Sequence, residues 1–239
     1  MTTASFQNEL YRVYDDVLPE AEADRLWIAF RQRHFRTSRV AGYPGAWRVL
    51  DGEPLLAGAM FSGSPPSSTG AGVYPTGTVF DRAFDIVLEA AQECADLIGT
   101  QGEAWTFATM TPTLYPSGSG LSWHRDEATY AGAFAYYAHR QWNSAWGGEL
   151  LIASVPDDEP IREFTGTGSE REMIPSDLDN SVESAALLRS GVGGYVLPRP
   201  NRLVVISGHA VHKIVPVHPA AGDHQRASLA GFFCRPAPS

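Results

Sequence analysis

A small set of residues in the second half of this chain has the types and spacing to hold a metal ion and an anion together. The segment LSWHRDEAT sets His124 two residues before Asp126. On a strand, residues i and i+2 project to the same face, so this imidazole and this carboxylate can grip one ion. Alone, such a pair is common by chance. The segment VVISGHAVHKIVPV then supplies His209 and His212 at the end of an apolar run. Two imidazoles and one carboxylate form a set that suits Fe(II), holding it on one face and leaving the other positions open. Next, RASLAGFF brings Arg226 and Ser228, again two apart. A guanidinium offers a planar two-pronged donor to a carboxylate, and a hydroxyl on the same strand face can add another. An arginine deep in a barrel is costly unless an anion meets it.

These residues need strands to carry them, and the second half of the chain reads that way. WTFATMTPTLY, from Trp105, alternates and is rich in Thr and aromatics, which argues strand. AGAFAYYAH (131–139) is a second strand, and GGELLIA opens a third at Gly147. YVLP, NRLVVIS, HKIVPV and RASLAGFFC follow after a long gap. Short β segments punctuated by Gly and Pro are the pattern of a sandwich or jelly roll. Ahead of them, residues 19–36 read as an amphipathic helix with Leu26, Ile28, Ala29 and Phe30 on its apolar side. Residues 78–99 read as a second helix, with Phe80, Phe84, Val87, Leu88, Ala91 and Cys94 at the 3.6-residue period. Helices come first and strands last, so the helices are expected outside one sheet. Residues 41–78, rich in Gly, Pro and Ser, read as a loop of lid-like length with no helix or central strand. The acidic stretch from about 154 to 194 reads as an insertion with a short helix near 181–190. It is either a solvated excursion or a wall of the site.

TLYPSGSGLSWHRD, WGGELLIA, HKIVPV and QRASLAGFF, in this order, resemble the prolyl-4-hydroxylase-like branch of the 2-oxoglutarate/Fe(II) dioxygenases. The resemblance spans about 105 to 234; the first hundred residues carry no assignable motif. It implies an α+β, mainly β fold: a double-stranded β-helix (jelly roll, cupin-like) core with N-terminal helices packed on one sheet, in a single domain over 1–239. It further implies Fe(II) held by His124, Asp126 and His212, with 2-oxoglutarate and O2 as cosubstrates. Arg226, helped by Ser228, would meet the far carboxylate of 2-oxoglutarate, and Tyr115 sits where many relatives place a phenol on that carboxylate. Two spacings, Asp126 to His212 and His212 to Arg226, are longer than the family's pattern, and Arg235 is the fallback for Arg226. Related halogenases carry Gly or Ala at the carboxylate position, so the presence of Asp126 favours hydroxylation, with desaturation, ring closure or epoxidation still open. Gly147, Gly148 and Glu149 look structural, forming a tight turn into a core strand.

Around this set, His209 competes with His212 as a ligand. Arg48, Trp47, Glu127, Tyr130 and His139 are candidate substrate contacts; for His139 a hydrogen bond at the strand end is the plainer reading. Trp123 and Arg125 should point away from the ligands. The net charge is -9, which repels phosphate backbones and anionic lipid surfaces, so neither nucleic acid nor membrane is an expected partner. Two cysteines, Cys94 and Cys234, cannot build a disulfide framework or zinc knuckle. No signal peptide or membrane span is visible, and a reducing cytoplasm is expected. The expected substrate is a small molecule: an amino acid, an amino-acid derivative or a natural-product intermediate. A peptidyl or carrier-tethered aminoacyl hydroxylase is the alternative within enzymes, and a non-catalytic metal-binding jelly roll the alternative outside them. Monomer and homodimer both remain open.

Overall fold

Leu203-Val-Val-Ile-Ser207 is apolar at four positions running, and both of its faces are buried. Such a strand needs a layer on each side. Leu203 and Val205 pack among Phe30, Phe84 and Ile98, whereas Val204 and Ile206 pack with Ile152 and Ile214. Each fully buried side chain of this kind contributes about 1.5–3 kcal/mol. Helices therefore lie on one side of this strand and a second sheet on the other. This is a computed structural model, and it describes residues 3–37, 52–63, 72–127, 129–156, 161 and 181–236.

The larger sheet runs in the order β1 (Phe6–Gln7), β2 (Tyr11–Tyr14), β12 (Leu203–Ser207), β9 (Tyr130–Tyr137), β14 (Arg226–Cys234), β7 (Phe107–Tyr115), β4 (Leu56–Ala57) and β3 (Arg36–Thr37). Off this path, β5 (Phe61–Ser62) pairs with β7, and β6 (Gly72–Val73) with β5. The smaller sheet has the order β11 (Gly193–Val196), β10 (Leu150–Ala153), β13 (Val211–Ile214), β8 (Leu121–His124). Among the described residues every strand pair is antiparallel except β5–β6. Helices α1 (Glu20–Arg31), α2 (Phe80–Glu93) and α3 (Ala95–Ile98) cover the outer face of the larger sheet. Helix α4 (Ser181–Ser190) covers the outer face of the smaller one, where Ala186 and Leu187 meet Ala153, Val211 and Trp123. Among the described residues no helix is long and apolar enough to cross a membrane.

Four expectations need correction. The first helix ends at Arg31 rather than running to residue 36, which opens β3, and Ile28, read on its apolar side, is 53% exposed. The periodic stretch 78–99 is two helices, because the backbone leaves the helical region at Cys94 (φ -101°, ψ 23°). The first hundred residues hold strands as well as helices: β1 to β6 were not read. β2 exists because Tyr11–Tyr14 finds β12 as an antiparallel partner. Finally, 41–78 is not all loop, since β4, β5 and β6 lie within its described part and two of them extend β7. The helix expected near 181–190 is α4, and the rest of the acidic stretch lies largely outside the described residues.

Candidate metal centre and anion pocket

Strand register brings two histidines together. Ile152 on β10 pairs with His212 on β13, which pairs with His124 on β8. Directly paired residues share a face, and Ile152 faces the space between the sheets, so both imidazoles do too. Their ring centroids are 4.3 Å apart. Asp126 lies just past the end of β8 in a backbone turn, its carbonyl accepting from Thr129 N–H at 3.2 Å and Tyr130 N–H at 2.9 Å. Its Oδ1 is 3.8 Å from His124 Nε2 and its Oδ2 is 3.6 Å from His212 Nε2. Two atoms each about 2.0–2.2 Å from one ion lie at most about 4.4 Å apart, and both distances meet that limit.

The histidine tautomers also suit a metal. His124 Nδ1 donates to the Ser122 carbonyl at 2.7 Å, and His212 Nδ1 to the Ala210 carbonyl at 2.8 Å. The proton on each Nδ1 leaves the Nε2 lone pair turned to Asp126, the usual arrangement around a bound ion. Burial, followed by repulsion from His212, pushes the His124 pKa down to about 3, so this ring is neutral and ready to ligate. His124, His212 and Asp126 are 5%, 5% and 0% exposed; water has little access to the set. His209 stands apart, with Nδ1 3.0 Å from Glu127 Oε2. That pairing also occupies the Glu127 carboxylate.

Facing them, the larger sheet carries a polar row. Thr113 on β7, Ser228 on β14 and Tyr137 on β9 are in register, with Tyr115 and Arg226 paired in the next row. Arg226 is 1% exposed. Its Nε donates to the Gly148 carbonyl at 2.8 Å and its Nη1 to Ser228 Oγ at 3.2 Å. The guanidinium lies over the rings of Tyr115 and Tyr137, 4.8 and 4.9 Å from their centroids. Ser228 Oγ is in turn 2.8 Å from Thr113 Oγ1. Among the described residues, Arg226 Nη2 and the Tyr137 hydroxyl are buried with no hydrogen-bond partner, and no carboxylate pairs with the guanidinium. An unneutralised buried cation is costly. The pocket is therefore built for an anion that supplies both missing acceptors.

Tyr137 and Thr113 were missed in the sequence, whereas Gly147 and Gly148 were read as a structural turn and form one. Gly147 and Gly148 both have positive φ, 72° and 75°, where an L side chain is strained. A Cβ on Gly148 would lie 2.9 Å from Arg226 Cδ. The turn thus positions the arginine as well as entering β10. Gly148→Ala is expected to weaken carboxylate binding at Arg226 by about tenfold and to cost about 1 kcal/mol or more of stability. Isothermal titration with 2-oxoglutarate and thermal unfolding would check it; unchanged affinity would remove Gly148 from the pocket.

The other candidates fall in different places. Tyr130 stacks on Phe232, with ring centroids 4.1 Å apart, at the other end of the larger sheet from Arg226. Trp47 and Arg48 lie outside the described residues. Trp123 packs under α4, on the face away from the ligands. Trp142 donates its indole N–H to the Gly147 carbonyl at 2.9 Å, steadying the glycine turn. His139 departs from a substrate role. Its Nε2 donates to the Pro198 carbonyl at 2.7 Å, and its Nδ1 accepts from the Ala227 N–H at 3.3 Å, so both ring nitrogens are used inside the protein. Burial is the main reason its pKa falls to about 4. An unfolded histidine titrates near 6.5, so the unfolded chain takes up this proton first. The stability that neutral His139 contributes is full above pH ~6.5 and is lost as pH falls towards 4, with a slope near 1.4 kcal/mol per pH unit. Urea unfolding of the metal-free protein between those limits should show the loss, and His139→Gln should flatten it.

No family model matches this chain, and no curated protein sequence does either. Solved structures do. A prolyl-4-hydroxylase from Pseudomonas putida superposes with a TM-score of 0.60 at 17% identity, covering 95% of this chain and 94% of its own. A prolyl hydroxylase from Trichoplax adhaerens, in complex with a hypoxia inducible factor peptide, gives 0.59 at 13% identity over 95% and 84%. The non-heme alpha ketoglutarate dependent epimerase SnoN from nogalamycin biosynthesis gives 0.54 at 11% over 95% and 82%. The chain therefore has the double-stranded β-helix fold of the 2-oxoglutarate/Fe(II) oxygenases. One neighbour is bound to a peptide and another belongs to nogalamycin biosynthesis, so the shared fold leaves the substrate class undecided.

Proposed function

We propose that this chain is an Fe(II)- and 2-oxoglutarate-dependent oxygenase that hydroxylates a C–H bond of a small molecule. The observation that carries the reading is a pair of complementary sites on facing sheets: the buried His124–Asp126–His212 trio, and the buried Arg226 with an unused N–H and, among the described residues, no carboxylate partner. The resemblance of the ordered motifs and the fold it leads to agree with it. Residues 1–239 are read as one domain, in keeping with superposition over 95% of the chain.

His124 and His212 would hold the metal through Nε2, each fixed in tautomer by its Nδ1 hydrogen bond, and Asp126 would add the anionic ligand. Arg226 would hold the far carboxylate of 2-oxoglutarate by a charge-assisted pair, with Ser228, Tyr137 and Tyr115 around it. When bound, Fe(II) and 2-oxoglutarate activate O2 for attack on a C–H bond and release succinate and CO2. The protein's part is to set the geometry and exclude water. The carboxylate at position 126 supports hydroxylation rather than halogenation. A small, acidic chain without a charged peptide groove legible in its sequence favours an amino acid, an amino-acid derivative or a natural-product intermediate over a peptide.

A panel of such compounds, incubated with Fe(II), 2-oxoglutarate and labelled O2, tests the proposal. One compound should gain a labelled oxygen with matching succinate. Metal and 2-oxoglutarate binding without succinate across the panel would instead mark a non-catalytic binding protein.

A further inference from the structure

Strand β14 carries a guanidinium at each end. Arg226 opens it, and Arg235 follows its last residue, with the Arg235 N–H donating to the Thr129 carbonyl at 3.3 Å. The Arg235 side chain turns back, and its Nε donates to the Glu127 carbonyl at 3.1 Å. Glu127 directly follows Asp126. The guanidinium is therefore tied to the turn that carries the anionic metal ligand. Among the described residues no ion pair joins the Glu127 carboxylate to Arg235; its Oε2 is 3.0 Å from His209 Nδ1 instead. Arg235 is partly buried, and among the described residues neither of its Nη groups makes a hydrogen bond or ion pair. The result is a fork pinned at its stem with both tips unspent.

A second feature lies at the same end of the sheet. Cys234 pairs with Tyr130 on one side and Phe107 on the other. Tyr130 and Phe232 stack at an interplanar angle of 17°, and Phe107, Leu121 and Cys234 join them in a small apolar cluster. An apolar wall and an unpaired planar cation thus stand together where β14 and β9 meet the Asp126 turn. A guanidinium fork matches a carboxylate in shape as well as charge. In a protein of net charge -9, an anionic molecule needs such a local cation to approach.

We infer that Arg235 binds a carboxylate of the substrate while the Tyr130–Phe232 pair receives its apolar part. The substrate is then a small carboxylic acid with an apolar or aromatic body. This rests on the oxygenase reading for its substrate but on Arg235 alone for its chemistry.

The test is ligand-observed NMR on the full chain loaded with redox-inert Zn(II) and saturating 2-oxoglutarate, so that acids cannot score at Arg226. The probes are aliphatic and aromatic N-acetyl amino acids and their primary amides. At least one acid should bind about tenfold or more tightly than its amide, the loss expected for a charge-assisted hydrogen bond. Arg235→Gln should bring that acid down to its amide, and Arg235→Lys should restore part of the difference. Thermal unfolding of each variant checks folding. Acids and amides binding alike, no acid binding at all, or acid binding unaffected by Arg235→Gln would each overturn the inference. Separately, 2-oxoglutarate affinity unchanged by substitution of Arg226 would defeat the oxygenase reading and leave the acid–amide contrast at Arg235 standing.

Discussion

Replacing Asp126 with alanine is expected to reduce Fe(II) affinity and 2-oxoglutarate-dependent succinate formation by at least about 100-fold, more than is typical for losing a residue that only supports a ligand. The reason is charge. An imidazole ligand brings no charge to an ion, so the Asp126 carboxylate is the one anionic ligand of the trio. A divalent ion leaving water for this 0%-exposed position needs that charge to offset its desolvation. Asp126→Asn, which keeps the shape and removes the charge, should lose nearly as much. The metal-free fold should tolerate both changes, since they remove a buried carboxylate and with it the cost of its desolvation. Metal titration and thermal unfolding of the same samples separate the two effects. Retained activity in Asp126→Ala would mean the ligands are wrongly assigned.

The second large effect concerns Arg226. Arg226→Met keeps much of the volume and deletes the charge. Hydrogen bonds to charged groups contribute about 1.5–3 kcal/mol each, so loss of a two-pronged contact should raise the apparent KM for 2-oxoglutarate by about 100-fold or more. The ligand-free protein should behave the other way. Its guanidinium is buried with Nη2 unpartnered, and exchange of such a cation for an apolar side chain is often neutral or stabilising. The expected result is an unchanged or raised Tm without ligand and loss of the Tm increase that 2-oxoglutarate gives the parent. A lowered ligand-free Tm with unaltered KM would make Arg226 a structural residue.

The parts of the site legible in the sequence are those fixed by local spacing. His124 and Asp126 are two apart, as are Arg226 and Ser228; strand alternation aims the second pair along β14, while Asp126 reaches the His124 side from the turn that follows β8. His212 is legible because an apolar strand and a Val-Pro-Val run frame it. Tyr137 and Thr113 were not, because their roles depend on register: Ser228 is paired with both, far away in the chain, and no local pattern states that pairing. The Gly147–Gly148 turn was legible as a turn, but its close approach to Arg226 was not. For His139 the plainer reading, a hydrogen bond at the strand end, agrees with the structure, where its nitrogens meet the Pro198 carbonyl and the Ala227 N–H.

The same logic holds for the fold. Long strands such as β9 and β14 declare themselves by composition, and α2 by its period. β3 to β6 have two residues each, too few for a period to show, and β4 and β5 form because β7 offers them a free edge. The split at Cys94 escaped notice since the apolar face continues across it into Leu97 and Ile98.

The central claim is that one ion and one oxo-acid bind together between the two sheets. Anaerobic addition of Fe(II) and then 2-oxoglutarate to the purified chain tests it directly, by the weak visible absorption of an iron-chelated 2-oxo acid. That band should appear only with both components, saturate at one equivalent of iron, and vanish in Asp126→Ala. No band at saturating concentrations, or the same band in Asp126→Ala, would contradict it.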